Sequence, residues 1–559
     1  MADSFATLDY IVVLGYLAIS LGLGFSFRRQ ANREEFFTAG QSMGRITVGL
    51  SVMATLFSAN SFVMYPSTAY GNSIRLVMAL VAFWSMAPVV IFVFIPVYSK
   101  LKCNTAYEYL EHRFGVSVRC LASALFIILR IAWMAAATYA ASLAIGAISG
   151  LNQYAVIVGL GLIAICYTML GGLRAVMWTD VLQFFVFFGT ILFAAALLVN
   201  RTEGGASGVI DTYFEGRENM MFDFTLDPKL RFASLAILMG SFLEGMSAFG
   251  ADQVAVQRYI AARDQKTSQI GFVINLLGMS IVIPGLLIIG MGLFSYFQHQ
   301  PADLVPVIAN KIVEDDSEVA TELRTSFAPE QKEPVASDSA QADSIRAAAA
   351  AYYSDKPQVL HADIVRLKLN DKALPQFVRL QFPPGLVGLL VAALMAATMS
   401  SIDSGVHSVT TAVVVDFRDR LKPEWRPKTE AGEMKVARLL VVLIGTLAIA
   451  LACFVGELGD VFTVAKKCIG AFASPLLAVF VMGLFIPRAT TYGVFVGTWI
   501  GAALTLTLMA VLDDWFAMLF FPMGFFSSIA ISMLLSMVPT SPSNPDKPLT
   551  FWEIRSRDV

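Results

Sequence analysis

Charged side chains are scarce in this chain. Lysine, arginine, aspartate and glutamate make up 15% of its 559 residues, whereas 57% are hydrophobic. A soluble globular domain carries roughly a quarter charged residues, so the composition excludes an ordinary soluble domain. The formal net charge is −2, which offers no basic surface for a polyanion such as nucleic acid. We therefore expect no nucleic-acid partner, and the environment that this composition predicts is a lipid bilayer.

Clustered cysteine and histidine are also missing. The five cysteines include no Cys-x-x-Cys pair, and the four histidines are scattered along the chain. Neither a disulfide framework nor a structural zinc site is indicated, and we expect a protein that is not an enzyme. No basic residue precedes the first apolar run, and Arg28 and Arg29 follow it. Because a signal peptide has the reverse arrangement, we expect no cleaved leader.

Long hydrophobic runs, by contrast, recur from Leu8 to Val538. A membrane-spanning helix needs about 20 predominantly apolar residues, and we predict thirteen such spans. They are residues 8–27, 46–69, 76–99, 117–149, 153–171, 175–199, 231–258, 268–296, 382–416, 434–455, 460–486, 490–512 and 516–538.

The basic residues of the short connections predict an orientation. The connections on one side carry Arg28, Arg29, Arg33, Lys100, Lys102, Arg113, Arg174, Arg258, Arg263 and Lys266, and the connection after the ninth span is also rich in arginine and lysine. By the positive-inside tendency this side is cytoplasmic, which puts the N-terminus outside a cell membrane and the C-terminus in the cytoplasm. Two outward segments are long. We expect 298–380 to be a partly helical insertion rather than a folded domain, with a helix at Ser344–Tyr353.

The second span is unusually polar for a membrane helix. Between Gly49 and Pro66 it contains serines, a threonine and an asparagine, and it reaches a proline. This pattern is typical of a broken helix, whose freed carbonyl oxygens suit a small hard cation. Close packing of small residues against a neighbouring helix explains the segment equally well.

The ninth span carries a polar cluster within the sequence Ala396-Ala-Thr-Met-Ser-Ser-Ile-Asp-Ser404. Residues four apart lie above one another on a helix, so Ala397 aligns with Ser401, and Ser400 with Ser404. Because the cluster includes the carboxylate of Asp403, we favour an ion site over simple packing here.

Five further ionisable residues lie within predicted spans: Arg130, Asp180, Glu244, Lys466 and Lys467. Asp180 is near the inner end of its span, where we expect water to reach it. Arg130 and Glu244 are deeper and need partners. They either serve a bound solute or pair with each other.

Three segments of the chain resemble signatures of one transporter family. They are Gly171-Gly-Leu-Arg-Ala-Val-Met-Trp-Thr-Asp-Val-Leu-Gln183, Asp252-Gln-Val-Ala-Val-Gln-Arg258 and Ser474-Pro-Leu-Leu-Ala-Val-Phe-Val-Met-Gly483. On these segments the chain is similar, from Tyr10 to about Pro487, to the sodium:solute symporters, which carry solutes such as glucose, vitamins, iodide, monocarboxylates, proline and sialic acid.

The resemblance implies an all-α multi-pass membrane protein with the inverted five-helix-repeat (LeuT-like) transporter fold. Its parts are an extra N-terminal helix with its cytoplasmic loop, a first repeat, an extracellular loop, a second repeat, and two additional helices with a cytoplasmic tail. The corresponding ranges are 1–45, 46–199, 200–230, 231–486 and 487–559. In such a fold, binding occurs at the bilayer midplane beside the broken first helix of each repeat.

The resemblance also implies sodium sites. The ligands of the first are the carbonyls of Ala54, Phe57 and Ala397 and the hydroxyls of Ser400 and Ser401. A second sodium, held by some relatives, corresponds to Asp180, Ser400, Asp403 and Ser404. Asp403 replaces a residue that is usually a hydroxyl, so this second site either binds sodium more tightly or takes a proton.

The solute is indicated less directly. Lys467 stands where sugar-carrying relatives place a glutamine that contacts the sugar. A buried lysine or Arg130 would pair strongly with a carboxylate, which favours a small organic anion over the alternative of a sugar or polyol. Lys466 or Lys467 could instead extend to an interface. The candidate pocket residues are Ser58, Asn60, Ser61, Trp84, Arg130, Glu244, Ser247 and Lys467.

The function implied is sodium-coupled, secondary active import of a small solute by alternating access. Proton coupling through Asp180, Asp403 or Glu244 is the alternative for the driving ion. We expect sodium as the bound ion and no obligate protein partner.

Overall fold

A computed structural model describes residues 5–30, 32–215, 222–225, 227–230, 232–329, 333–337, 339–458, 461–538 and 549–556. Within these ranges the secondary structure is helical, apart from one isolated bridge between Met43 and Ala262. The helices are α1 (Thr7–Ser26), α2 (Arg33–Thr38), α3 (Arg45–Ala54), α4 (Ala59–Gly71), α5 (Arg75–Leu101), α6 (Glu108–Phe114), α7 (Val116–Ser149), α8 (Gln153–Arg201), α9 (Gly205–Phe214), α10 (Ser234–Ala251), α11 (Gln253–Ala261), α12 (Gln265–His299), α13 (Val305–Glu314), α14 (Glu318–Phe327), α15 (Ala340–Tyr353), α16 (Pro357–Arg366), α17 (Ala373–Gln381), α18 (Leu386–Leu421), α19 (Glu430–Ala452), α20 (Thr463–Phe485), α21 (Thr491–Val511), α22 (Ala517–Ser536) and α23 (Phe551–Ser556).

The number of membrane spans depends on how two breaks are counted. In the described chain, 11 helices are long and apolar enough to cross a bilayer, and the bent pair α3 and α4 adds a twelfth span. Helix α8 has 49 residues and is non-helical at Gly172. Its length, roughly 70 Å at the usual helical rise, is about twice the thickness of a hydrocarbon core. Divided at Gly172, it supplies the two spans predicted at 153–171 and 175–199, and the total is thirteen.

Glycine is required at the break in α8. Gly172 has φ 57° and ψ −161°, a region of backbone space that is essentially restricted to glycine. A Cβ atom there would lie 2.9 Å from the Phe36 ring and 3.0 Å from the Phe36 carbonyl oxygen. The close approach of α2 to this break therefore depends on the missing side chain.

The first helix of each predicted repeat is interrupted. Helices α3 and α4 meet at 64°, and residues 55–58 between them are not part of either helix. Helix α10 ends in a π-helical turn at Ser247–Ala251, after which Asp252 is extended before α11 begins. Broken helices at these two positions agree with the family architecture that the sequence predicted.

Helix α18 lies at the centre of the bundle. In its most apolar stretch 83% of the residues are buried, compared with 28% in the corresponding stretches of α1 and α19. Helix α18 packs against α1, α7 and α8. Its start is fixed by Asp9 of α1, whose carboxylate is fully buried and accepts hydrogen bonds from the backbone N–H groups of Gly385 at 2.7 Å and Gly388 at 2.6 Å. This carboxylate satisfies amides that a helix N-terminus leaves unpaired.

The insertion at 298–380 is more completely helical than expected. It contains five helices, α13 to α17, with buried apolar side chains such as Ile312 and Ile345. The predicted helix at Ser344–Tyr353 is confirmed as part of α15, and the Tyr353 hydroxyl ties it to α16 by donating to Asp363 at 2.9 Å. In the shorter segment 200–230, which the sequence predicts to be extracellular, α9 is helical, and residues 216–221 and 226 lie outside the described chain.

Candidate functional site

The break between α3 and α4 lies against the middle of α18. The Ser400 hydroxyl is 3.0 Å from the carbonyl oxygens of both Ala54 and Ala397. The Ser401 hydroxyl is 3.3 Å from the Ala397 carbonyl oxygen. Four of the five residues predicted to bind the first sodium are therefore in mutual contact through the oxygen atoms named for that role.

A small cavity adjoins these oxygen atoms. Its volume is about 10 Å³, close to the space that one water molecule needs. The fifth predicted residue, Phe57, lines it together with Ala54, Ala397 and Ser400. The candidate ligands are neutral carbonyl and hydroxyl oxygens, which are hard donors of the kind that hard cations prefer. The donor set suits a sodium ion, while the rest of the cavity wall is formed by Met53, Gln183, Phe184 and Phe187.

The region predicted for a second sodium contains an arginine. The guanidinium of Arg258 lies 3.1 Å from the Asp180 carboxylate and also donates to the Ser404 hydroxyl and, at 3.0 Å, to the Ser51 hydroxyl. Both Arg258 and Asp180 are fully buried. Two expectations were therefore wrong: Arg258 is not in a cytoplasmic connection, and water does not reach Asp180, because α11 packs Arg258 inward against it.

Asp403 lies beside this ion pair. Its carboxylate accepts a hydrogen bond from the Tyr167 hydroxyl at 2.6 Å and another from the Ser404 backbone amide at 2.5 Å. Asp403 and Tyr167 are both fully buried. Two ionised carboxylates and one guanidinium would leave a net charge of −1 in the protein interior, and an uncompensated buried charge is costly. One further bound cation would therefore neutralise this buried cluster.

Arg130 and Glu244 do not pair with each other, so that alternative was wrong. The guanidinium of Arg130 binds both carboxylate oxygens of Asp252, with Nε at 3.2 and 3.0 Å. Glu244 accepts two hydrogen bonds from the Lys466 ammonium, at 2.8 and 2.7 Å. The break after α10 brings Asp252 toward α7, while Glu244 on α10 faces α20, so each charge finds a nearer partner.

Asn60 lines a large cavity beside the insertion 298–380. We name it the outer cavity because the sequence predicts that the insertion is extracellular. This cavity has a volume of about 460 Å³ and is bounded by α4, α7, the start of α20 and the insertion. Polar side chains from α4 and α20, including Ser67, Thr68 and Thr463, form part of its wall. Lys368, Asp371 and Lys372 of the insertion also line it. The cavity is large enough for a small organic solute.

The other predicted pocket residues are more dispersed. Ser58 is buried, its hydroxyl has no hydrogen-bond partner among the described residues, and its backbone N–H lies 3.4 Å from the Ser61 hydroxyl. Ser247 donates to the Ala473 carbonyl oxygen at 3.1 Å, which joins α10 to α20. Trp84 is 42% exposed and donates to Ser280 of α12 at 3.0 Å. Trp84 is thus not brought to the outer cavity.

Lys467 lies one turn of α20 below the outer cavity. Thr463 lines the cavity, and residues four apart share a helix face. Lys466, on the neighbouring face, is engaged by Glu244, whereas Lys467 makes no hydrogen bond or ion pair with any described residue. Lys467 is therefore a lysine without a carboxylate partner in the described chain, four residues along α20 from Thr463 of the cavity wall.

The sequence reasoning missed Asp252, Arg258 and Tyr167. Asp252 and Arg258 bound the second signature segment, and their charges within an apolar region were a signal for buried ion pairs. Tyr167 gave no comparable signal, because tyrosine is common in membrane helices near the interfaces and does not by itself indicate a buried polar contact. Its contact with Asp403 depends on how α8 packs against α18.

Comparison with known proteins agrees with this architecture. Residues 36–329 and 344–501 match the model of the sodium:solute symporter family. The chain belongs to that family. It is a sodium-coupled solute symporter and not an enzyme, because its characterised relatives are transporters.

The relatives include carriers of organic anions. The sodium-coupled monocarboxylate transporter 1 of Homo sapiens is 28% identical over 90% of this chain and 73% of its own length. The sodium/sialic acid symporter of Proteus mirabilis is 28% identical over 88% of each chain. The sodium/iodide cotransporter of Homo sapiens is 26% identical over 91% of this chain and 70% of its own.

A solved structure supports the fold of this symporter. A Na⁺-coupled sialic acid symporter in a substrate-bound, outward-open state superposes with a TM-score of 0.76, covering 96% of this chain and 99% of that chain. The two are 24% identical in sequence, so the likeness establishes the fold alone.

Proposed function

We propose that this symporter imports a small organic anion, with Lys467 as the group that pairs with its carboxylate. The observation that carries the proposal is the charge balance below the outer cavity. Arg130 is neutralised by Asp252 and Lys466 by Glu244, whereas Lys467 has no carboxylate partner in the described chain. The positive charge of Lys467 favours an anionic solute, since a carboxylate would complete the pair in a region of low dielectric.

The lining of the outer cavity supports an anion as well. Lys368 and Lys372 line it, and the single acidic side chain in that lining among the described residues is Asp371. The Lys372 ammonium is 3.9 Å from the Asp371 carboxylate, so most of the remaining positive charge comes from Lys368. A cavity with excess positive charge raises the local concentration of anions.

The relatives support the same class of solute. Monocarboxylates and sialic acid both carry a carboxylate, and the named carriers of these compounds are similar to this chain along most of its length. Candidate contacts for the rest of the solute are Asn60 on the cavity wall and the hydroxyls of Ser58, Ser61 and Ser247. Trp84 is the weakest member of the proposed set, because it bonds α12 instead.

The proposed mechanism is alternating access driven by sodium. Sodium held by Ala54, Phe57, Ala397, Ser400 and Ser401 would join the break between α3 and α4 to α18 and favour the outward-open state. A ligand shifts such an equilibrium only by its difference in affinity for the two states. Loss of sodium to a cytoplasm with little sodium would free α3 and α4 to move and release the solute.

A second cation is part of the proposal. The carboxylates of Asp180 and Asp403 carry two negative charges, and Arg258 carries one positive charge. We therefore assign the additional cation to a site formed by Asp403 and Ser404. Arg258 already contacts Asp180 and Ser404, which displaces the site toward Asp403. Sodium is the ion that the family favours, and a proton would satisfy the same charge.

The proposed orientation puts the N-terminus outside and the C-terminus in the cytoplasm of a cell membrane. Its support is the arginine and lysine of the short connections. Residues 549–550 and helix α23 contact α6 and the end of α5, for example through the Tyr109 hydroxyl, which donates to the Leu549 carbonyl oxygen at 3.2 Å. The C-terminal segment therefore lies on the same side as the connection after α5.

Uptake by the purified protein in liposomes tests the function. Labelled monocarboxylates, sialic acid and sugars are offered with an inward gradient of sodium, or of potassium as the control. We expect uptake of a carboxylate that stops when potassium replaces sodium. Sugar uptake without carboxylate uptake would contradict the anion assignment, and uptake driven by a pH gradient without sodium would contradict sodium coupling.

A further inference from the structure

A groove lies between the C-terminal helix and the ends of two membrane spans. Helix α23 packs beside the end of α5 and the start of α12, and the space between them has a volume of about 480 Å³. The groove is separate from the sodium and solute sites and contains none of their residues. The residues that line it are Phe92, Val93, Pro96, Val97, Lys100, Gln265, Gln269, Phe551, Trp552, Ile554 and Arg555.

The groove lies at the ends of two membrane spans, where we infer that the lipid headgroups lie. Span α5 ends at Leu101 and span α12 begins at Gln265, so Lys100 and Gln265 mark the same membrane boundary. Phe92 lies about two turns from Lys100 toward the bilayer centre and is 66% exposed. Trp552 on α23 is 61% exposed, and tryptophan is enriched at this depth in membrane proteins.

The polar end and the apolar end of the groove are distinct. Lys100 and Arg555 supply positive charge, and none of the described lining residues is acidic. The apolar end is formed by Phe92, Val93 and Pro96 on the exposed side of α5. A positively charged end next to an apolar end matches the phosphate headgroup and the acyl chain of a phospholipid. Basic pockets between membrane spans are known to bind anionic lipid headgroups.

Helix α23 is held at the groove by a few contacts. The Lys100 ammonium donates to the carbonyl oxygens of Arg555 at 3.1 Å and Ile554 at 3.4 Å. Phe551 lies against Phe485 of α20, with ring centroids 6.2 Å apart. Within the described chain α23 has six residues, so a ligand that bridges α23 and α5 would add substantially to its attachment.

We propose that this groove binds one anionic phospholipid. The phosphate lies between Lys100 and Arg555, the acyl chain follows Phe92, Val93 and Pro96, and the indole of Trp552 packs at the headgroup. The lipid fastens the C-terminal helix to α5 and α12.

Native mass spectrometry of the delipidated full-length protein tests the site, with phosphatidylglycerol or phosphatidylcholine added back. We expect one phosphatidylglycerol to bind in preference to phosphatidylcholine. In the double variant Lys100→Gln with Arg555→Gln, its affinity should fall by about thirtyfold, the change expected from two basic groups of about 1 kcal/mol each. The double variant Lys100→Arg with Arg555→Lys keeps both positive charges and should keep the preference for phosphatidylglycerol. It therefore distinguishes an effect of charge from an effect of changing the two side chains that hold α23.

A matched control removes the same charge elsewhere. Lys422 and Lys428 are exposed in the connection after α18, and Lys422→Gln with Lys428→Gln should leave phosphatidylglycerol binding unchanged. Equal affinity for the two lipids, or equal loss in both double variants, would overturn the proposal. So would displacement of the lipid by inorganic phosphate alone, because the acyl chain would then contribute nothing.

Discussion

At the scale of single residues, oxygen atoms from distant parts of the sequence meet at one point. Ala54 and Ser400 are separated by 346 positions, yet the Ser400 hydroxyl reaches the Ala54 carbonyl oxygen at 3.0 Å. Ser401 is placed beside it by the α-helical geometry of α18. The proposed sodium site therefore depends on a few neutral groups, each of which can be removed separately.

Replacing Ser401 with alanine tests one of these groups. We expect the sodium concentration for half-maximal uptake to rise by about tenfold, since a hydrogen-bonding group lost from a charged partner costs more than 1 kcal/mol. Uptake measured against sodium concentration in liposomes gives the value. Thr398→Ala is the control. Thr398 is buried in the same helix, and its hydroxyl donates to the Leu394 carbonyl oxygen one turn earlier in that helix. Unchanged sodium activation in Ser401→Ala would rule out this ligand.

Replacing Lys467 tests the proposed partner of the solute. Lys467→Gln removes the positive charge at similar length, and we expect the KM for a carboxylate solute to rise by at least about tenfold. Lys467→Arg should restore much of the affinity, and the sodium dependence should stay unchanged in both. If Lys467→Gln transports the carboxylate with the original KM, the ammonium does not contact the solute.

At the scale of helices, the breaks position the site. The break between α3 and α4 exposes carbonyl oxygens to α18, and the break at Asp252 lets α11 bring Arg258 to Asp180. The break at Gly172 lets α8 turn beside α2, where Phe36 occupies the space that a side chain would need.

Gly172→Ala tests that last break. A side chain at φ 57° with ψ −161° is strained, and the added carbon would contact Phe36, so we expect a loss of about 1–3 kcal/mol and a lower melting temperature. Thermal unfolding of the purified protein in detergent measures this loss. The control is Gly159→Ala in the same helix, where a Cβ atom would meet no neighbour within 4 Å. Equal melting temperatures for the two variants would contradict the requirement for glycine at 172.

At the scale of the whole molecule, bound sodium should stabilise the fold. Sodium at the proposed site joins α3 and α4 to α18, and a ligand that binds only the folded state stabilises it by mass action, by about 2.7 kcal/mol at a hundred times its Kd. We expect a higher melting temperature in sodium chloride than in potassium chloride at equal ionic strength. Ser401→Ala should reduce the difference, and equal stability of the unaltered protein in the two salts would contradict specific sodium binding.

The sequence by itself determined the class of the protein and the position of most of its spans. Hydrophobic runs of membrane length, basic connections and the three signature segments are local patterns, and local patterns can be read without the fold. The polar stretch from Gly49 to Pro66 also predicted the broken helix, because serine, threonine and proline weaken a helix wherever they occur.

Only the tertiary structure decided which buried charges are partners. From the sequence alone, Arg130 could pair with Glu244. In the structure the break at Asp252 gives Arg130 a nearer carboxylate, and Glu244 forms an ion pair with Lys466. Arg258 was assigned to a connection by its place at the end of an apolar run, and the packing of α11 turns it inward to Asp180. Electrostatic pairing depends on distances across helices that are remote in sequence, so it follows from packing and not from local composition.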